Sequence, residues 1–500
     1  MVKPRRPAAA ASSLNGRATA GAIGAAAVLI FMARSVALHG IISSNADDYP
    51  YDDDASGDQD DRAAGGRGRA GFFFEREYHG RNAKDNNRDD PLRSGSATRR
   101  SRAARHRQGR QGRHERRHGR RSRRMDGESG LDLDEVYPDI RSAHDDKYPP
   151  TDTERLLSNA KSLRTHDYQL IEELPYDVNN CPPTPPENYP ISWPALDVLN
   201  NWNTDDTTDN HSHRVHQGIC RFDAITEHDK ALAYRNAEVP FVIRDDPAVL
   251  PTVERWNMPD YLPSILGEER TYRTDMASSN QLMFFRMNEH GHKPKNWEEP
   301  TKIVDMTYPE WLEKANDPDP HALDPDRTHW YFRLNAKSTL RDNYLYKELP
   351  FFDPVESFYI VDPDGARGIN CRFGMRGNTG ENHFDASRNF IALLSGERRY
   401  LLSHPNQCKN LALYPVGHPS ARHSEVNWAD PDLDRFPQFR DAKIHEVVLQ
   451  AGDVLYLPTN YFHHIVSLNT NLQCNARSGV TQHYMKEIKD CGFAPPGAVG

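Results

Sequence analysis

The C-terminal third of the chain is a succession of short apolar runs cut by tight turns, and this restricts the fold more than any other feature. "NFIALLSGERRYLLSH" (389–404) is two such runs about Ser-Gly, and "HEVVLQAGDVLYLP" (445–458) repeats the pattern about Ala-Gly-Asp. "HHIVSLN" and "LQCNARSGV" follow, with a short polar turn between them. Runs of this length, rich in Val, Ile and Leu and bounded by Gly and Asp, read as β-hairpins. With few helices between them, they predict an antiparallel sandwich or barrel.

Upstream the pattern is mixed, so the fold class is mainly β with flanking helices (α+β). "VPFVIR" (239–244) and "HWYFRL" (329–334) read as strands. "WNMPDYLPSILG" (256–267) reads as one helix with Asn257 as N-cap, Pro259 near its first turn and Gly267 as stop. "TYPEWLEKA" (307–315) reads as another, and further helical pieces are expected at 152–164 and 222–236. Residues 131–234 form a loop-rich extension with a Pro-rich connector, "CPPTPPENYP" (181–190).

The charge is divided. Residues 1–130 hold 26 Lys+Arg and 16 Asp+Glu, a net of +10, while the remaining 370 residues hold 37 and 56, a net of −19. Residues 1–17 are a basic stretch, expected in the cytosol. Residues 18–42 carry "ATAGAIGAAAVLIFMA", free of charge, and read as a signal anchor, with a cleaved signal peptide or an organellar transit peptide as alternatives. The expectation is a single-pass type II membrane protein with its body in the lumen of the endoplasmic reticulum or Golgi, or outside the cell. Residues 43–130 have almost no aliphatics and are expected to form a disordered stalk. Within it, 99–124 contains thirteen arginines. No aromatics interleave to stack on bases, so a nucleic-acid partner is not expected.

Six cysteines (Cys181, Cys220, Cys371, Cys408, Cys474 and Cys491) follow the apolar run. No pair has C-x-x-C spacing, which excludes zinc-ribbon and thioredoxin motifs. Disulfides and free buried thiols both remain open.

The chemistry centres on "ENHFDASRNF" (381–390). His383 and Asp385 are two apart, so on a strand they share a face. Two histidines and one carboxylate form the ligand set of non-haem Fe(II) oxygenases, which leaves open coordination positions. A third ligand is expected from "FHHI" (462–465), where strand alternation allows only one of His463 and His464 to face a given interior. Glu381 shares the expected face of His383 and is a rival to Asp385.

Taken together, "ENHFDASRNFIALLSGERRYLL", "DLDRFPQF" and "LQAGDVLYLPTNYFHHIVSL" resemble the Jumonji C (JmjC) oxygenases. More closely they resemble the cupin-like branch that includes the asparaginyl hydroxylase of hypoxia-inducible factor. The resemblance covers roughly 235–482, leaving 483–500 as a tail. It implies a double-stranded β-helix (jelly-roll/cupin) core, with Fe(II) and the cosubstrate 2-oxoglutarate. Carried over by position, His383, Asp385 and His463 would hold the metal, leaving His464 packed away from it. Arg398, fifteen after His383, would pair with the far carboxylate of 2-oxoglutarate where close relatives have Lys. Asn389 and Asn475 would line the same pocket, with Tyr331 a hydrogen-bonding tyrosine. Gly380 stands where the family often has Ser or Thr, and Thr379 is adjacent.

The implied function is hydroxylation of a protein or peptide side chain in the secretory pathway. The alternative is a catalytically inactive cupin-like scaffold anchored in a membrane. Arg399 is expected to face solvent, and His404, His418, His423 and His445 to lie on the surface or in loops.

Overall fold

The computed structural model describes residues 152–493, apart from 165, 172–173, 209–212, 288–292 and 356. The expected anchor, the Arg-rich stretch, residues 131–151 of the extension and residues 494–500 lie outside the described residues. Ten strands build the centre: β1 (Thr271–Ala277), β2 (His329–Ala336), β3 (Ala366–Gly374), β4 (Thr379–Phe384), β5 (Asn389–Ser395), β6 (Glu397–Ser403), β7 (Lys443–Gln450), β8 (Val454–Leu457), β9 (Phe462–Ser467) and β10 (Asn471–Ser478).

They divide between two sheets. The larger runs in the order Arg221–Asp223, Phe241–Arg244, β8, β5, β10, β3, β2, β1, Lys302–Thr307. The smaller runs Trp193–Pro194, β7, β6, β9, β4, Gln281–Leu282. From β3 to β10 the chain passes repeatedly between the sheets, giving a double-stranded β-helix.

This corrects the hairpin expectation. β5 and β6 are not partners: β5 pairs with β8 and β10, β6 with β7 and β9. The Ser-Gly turn is a corner between sheets. Gly396 sits there at φ +70°, and a Cβ on it would collide with the Thr470 carbonyl oxygen. The Ala-Gly-Asp turn is a second such corner, joining β7 of the smaller sheet to β8 of the larger. An apolar run broken by a tight turn has the same signature in both geometries. The difference is that β5 to β8 are buried on both faces, as sandwich strands must be and the strands of an isolated hairpin are not.

Ile391, Leu393, Tyr400, Leu402, Val447, Leu449 and Leu455 fill the space between the sheets. A larger cluster, including Phe332, Phe373, Phe390 and Trp311, lies on the outer face of the larger sheet under the helices. The helix Tyr308–Ala315 forms as expected, with Thr307 and Glu310 making a reciprocal capping box. The 256–267 segment differs. One helix, Leu250–Trp256, ends at Asn257, whose amide donates to the Val253 carbonyl at 2.7 Å, and a second spans Tyr261–Leu266. Asn257 closes a helix where the sequence suggested that it opens one, and the chain turns through Asp260 at φ +66° before Gly267 ends the second. Of 222–236, only His228–Asn236 is helical, because Arg221–Asp223 is held as a parallel strand beside Phe241–Arg244. The expected 152–164 helix spans Thr153–Ser162.

All six cysteines are paired: Cys181–Cys220, Cys371–Cys474 and Cys408–Cys491. The second joins neighbouring strands β3 and β10 at directly opposed positions. Among the described residues, no helix is long and apolar enough to cross a membrane.

Candidate metal centre

The centre is built where β4 meets β9. Register sets His383 directly opposite His463, and on the adjoining strand β6 Leu402 pairs with His463. Leu402 belongs to the inter-sheet core, so both histidines face the interior. Asp385 follows the end of β4, its carbonyl accepting from the Asn460 amide at 2.7 Å. The ligand atoms of His383, Asp385 and His463 all lie within 4.8 Å of one another. The two imidazole centroids are 4.2 Å apart, and His463 Nε2 is 3.9 Å from Asp385 Oδ2.

Hydrogen bonds set the ring orientation. His383 Nδ1 pairs with the Glu381 carbonyl at 2.7 Å, and His463 Nδ1 with the Tyr461 carbonyl at 3.1 Å. A carbonyl can only accept, so each Nδ1 carries the proton and each Nε2 keeps its lone pair. Burial pushes His383 down to about 4, helped by His423, and His463 down to about 3, helped by His383. Burial alone would raise the Asp385 carboxyl. The Arg477 guanidinium, 2.9 Å away, and then the imidazoles hold it well below the usual carboxylate range. At neutral pH this leaves two neutral imidazoles and one carboxylate, a donor set that suits a divalent transition ion.

A β-bulge decides which neighbours join. Gly380 pairs with Ile465 and His383 with His463, so the register shifts by one residue between them. The shift breaks alternation and sends Glu381 to the outer face, 3.8 Å from His464 Nδ1. Glu381 is thus no rival ligand, correcting the expectation drawn from simple alternation. His464 also faces outward, its ring stacked on Trp428 at 4.8 Å and 8°. Thr379 pairs with Val466, an outer-face residue packed with Trp202, so the structure does not bring its side chain into the interior. Gly380 does face inward, with its Cβ position 3.5 Å from Ile465.

Asn389 and Asn475 are brought to the centre. Asn475 donates to Asn389 Oδ1 at 3.0 Å, and Asn389 donates to Asp385 Oδ2 at 3.2 Å. Arg398 is fully buried on the inner face, with its guanidinium 5.3 Å from the Tyr331 ring centroid. Nε donates to Asn471 Oδ1, Nη1 to Gln473 Oε1, and Nη2 to the Arg372 carbonyl at 3.0 Å. Two of its five N–H donors remain for an anion.

Arg399 does point the opposite way, but it is not solvated. It is 0 % exposed, paired with Glu446, bonded to the Trp202 carbonyl at 2.8 Å and stacked over the Trp202 ring. The extension covers this face, so an outward side chain is still buried. His445 is likewise buried and lies on β7, contrary to expectation, whereas His423 is buried but lies in a loop, as expected. His423 stacks on His383 at 4.9 Å, and His445 Nε2 meets the Tyr461 hydroxyl at 2.7 Å. Sequence reasoning also missed Arg477 as the partner of Asp385. The signal was available: Arg477 is two after Asn475 and shares its face on β10.

Comparison with known proteins agrees with this architecture. Residues 230–477 match the cupin-like domain family. The chain is 40% identical to the tRNA wybutosine-synthesizing protein 5 of Mus musculus over 86 residues, which is 17% of this chain and 25% of that protein. It is 37% identical to lysine-specific demethylase 8 of Danio rerio over 103 residues, 20% and 24% of the two chains. It is 23% identical to lysine-specific demethylase JMJ30 of Arabidopsis thaliana over 243 residues, 47% and 48% of the two chains. The chain thus spans no more than about half the length of these relatives. Fold and matches define a cupin-like double-stranded β-helix. The chain belongs to the JmjC/cupin-like family.

Proposed function

We propose that the chain is an Fe(II)- and 2-oxoglutarate-dependent oxygenase that hydroxylates a protein or peptide side chain in the secretory pathway. The observation that carries this reading is the convergence of His383, Asp385 and His463, with both Nδ1 atoms committed to carbonyls. His383 and His463 would each offer Nε2 to the metal and Asp385 one carboxylate oxygen. Bound Fe(II), with 2-oxoglutarate and oxygen, would supply the oxidant that inserts oxygen into a substrate C–H bond.

The protein's own residues prepare the site. Arg477 and Asn389 hold Asp385 Oδ2, fixing the carboxylate for one orientation. The Asn475–Asn389 link ties that carboxylate to the larger sheet. Arg398 offers its remaining donors to the far carboxylate of the cosubstrate, with Tyr331 beside it. The apolar wall of Ile465, Tyr400 and Leu402 keeps water from the interior.

The secretory setting draws support from three disulfides, which persist in oxidising compartments. The apolar segment 18–42 would supply a type II membrane anchor. A second reading, an inactive scaffold, draws on Arg398, whose three nitrogens are each already engaged. The test is succinate release from 2-oxoglutarate by the disulfide-intact protein with Fe(II) and a peptide mixture. Release that disappears in His383→Ala supports the oxygenase; no release from metal-loaded protein favours the scaffold.

A further inference from the structure

One of the three disulfides differs from the others in where it lies. Cys181, Cys220, Cys371 and Cys474 are each no more than 2% exposed, closed inside the large apolar cluster under the helices. Cys408 is buried, but its partner Cys491 is half-buried and reaches solvent. Both line a surface cavity of about 310 Å³, together with Lys409, Tyr414, Asp490 and Phe493. An attacking thiol therefore has a path to this bridge that it lacks to the other two.

The bridge pins the end of a short helix. Met485–Asp490 has six residues, too few to hold themselves helical in water. Past Cys491 the chain turns back. Gly492, at φ +89°, donates to the Lys489 carbonyl at 2.9 Å, and Phe493 to the Ile488 carbonyl at 3.2 Å. This Schellman arrangement brings Phe493 beside Ile488 in the apolar cluster outside the smaller sheet. There the Phe493 ring meets Phe384 edge-on, with centroids 5.4 Å apart at 84°. Phe384 stands between His383 and Asp385 in the chain. It is also held by the Phe462 ring at 5.2 Å and by Arg422, which donates to its carbonyl at 3.0 Å. Because Phe384 faces outward, its packing fixes how the two flanking side chains turn inward.

We propose that Cys408–Cys491 is a site of reductive modification by a dithiol, and that its opening releases Phe493 from Phe384 and loosens the segment carrying His383 and Asp385. A thiolate of the dithiol attacks the Cys491 sulfur, the more exposed of the two. A mixed disulfide forms there, and the Cys408 sulfur leaves as a thiolate and takes a proton. The second thiol of the reagent then displaces Cys491. The bridge gains two electrons and two protons, and the dithiol closes to its own disulfide. The consequence for function rests on the reading of His383, Asp385 and His463 as a metal centre; the bridge chemistry does not.

The experiment treats the full, metal-free chain with limiting dithiothreitol, traps free thiols with iodoacetamide, and reads labelling and amide hydrogen exchange by mass spectrometry. No metal or 2-oxoglutarate is present, so failure here is distinct from failure of succinate release. Cys408 and Cys491 are expected to label first, while the other four cysteines stay protected. The peptide spanning 382–386 is expected to exchange about tenfold faster once the bridge is open, with β3 and β10 unchanged. Cys408→Ser/Cys491→Ser should show the same acceleration without the reagent. Phe493→Ala, with the bridge intact, should show it too, which separates release of the ring from loss of the crosslink. Labelling of Cys181–Cys220 or Cys371–Cys474 as early as Cys408–Cys491 would overturn the modification site. Unchanged exchange at 382–386 in the Ser variant or in Phe493→Ala would overturn the link to the centre, as would acceleration spread equally over β3 and β10.

Discussion

His463 and His464 are neighbours in sequence and face opposite sides of β9: the first stands 3.9 Å from Asp385, the second stacks on Trp428 at 4.8 Å. The two substitutions to alanine should therefore fail differently. His463→Ala should abolish stoichiometric Fe(II) binding with little loss of melting temperature. His464→Ala should bind metal and lose about 2–4 kcal/mol of stability through the cavity beside Trp428. Metal content and denaturant unfolding of both variants check this.

Arg477 orients Asp385 without being a ligand itself. Its removal leaves the carboxylate with Asn389 as its remaining named side-chain donor. Arg477→Gln should weaken Fe(II) binding about 10–100-fold and leave the fold intact. Anaerobic metal titration, with circular dichroism alongside, measures it. Unchanged affinity would show that the contact is incidental.

Two kinds of buried group set opposing pH trends in the metal-free protein. Burial holds His383 at about 4 and His423, His445, His463 and His464 at about 3. A depressed histidine leaves the unfolded chain with more bound protons, so this contribution is intact above about pH 6.5 and is lost as pH falls toward 4. Burial, then Asp205, raises Glu381 to about 8. There the folded state holds the extra proton, so stability is lost as pH rises from about 4.5 to 8. Glu381→Gln should therefore gain stability relative to wild type at pH 8 and much less at pH 5. Chelator-treated melting curves at the two pH values test the sign.

The Cys371–Cys474 bridge closes a loop of 103 residues between β3 and β10. Loss of a native disulfide costs about 2–5 kcal/mol. The double substitution Cys371→Ser/Cys474→Ser should lower the melting temperature of the oxidised protein, and dithiothreitol should lower that of wild type. Insensitivity to both would remove the main support for an oxidising compartment.

How far the sequence could be read depended on whether a feature was local. His-x-Asp, the strand carrying His463 and the capped helix at Thr307 depend on residues close together, and the structure follows them. The bulge that turns Glu381 outward adds a single residue to one strand. Nothing in "TGENHF" distinguishes it from regular alternation. The β5–β6 turn reads as a hairpin because a sandwich corner uses the same Ser-Gly chemistry. The burial of Arg399 depends on Trp202, nearly two hundred residues away in a loop-rich segment with weak periodicity. Asn389 and Asn475 came with the family resemblance, whereas Arg477, whose contact with Asp385 crosses the sandwich, did not.

In the proposed function, His383, Asp385 and His463 hold an iron that also binds 2-oxoglutarate. The most direct test is an anaerobic titration of the Fe(II)-loaded, disulfide-intact protein with 2-oxoglutarate, following the visible absorption of the iron–2-oxoglutarate chelate. A saturable band is expected at one equivalent of iron in wild type, absent in Asp385→Ala and weakened in Arg398→Gln. Iron bound at one equivalent with no band at any 2-oxoglutarate concentration would contradict it.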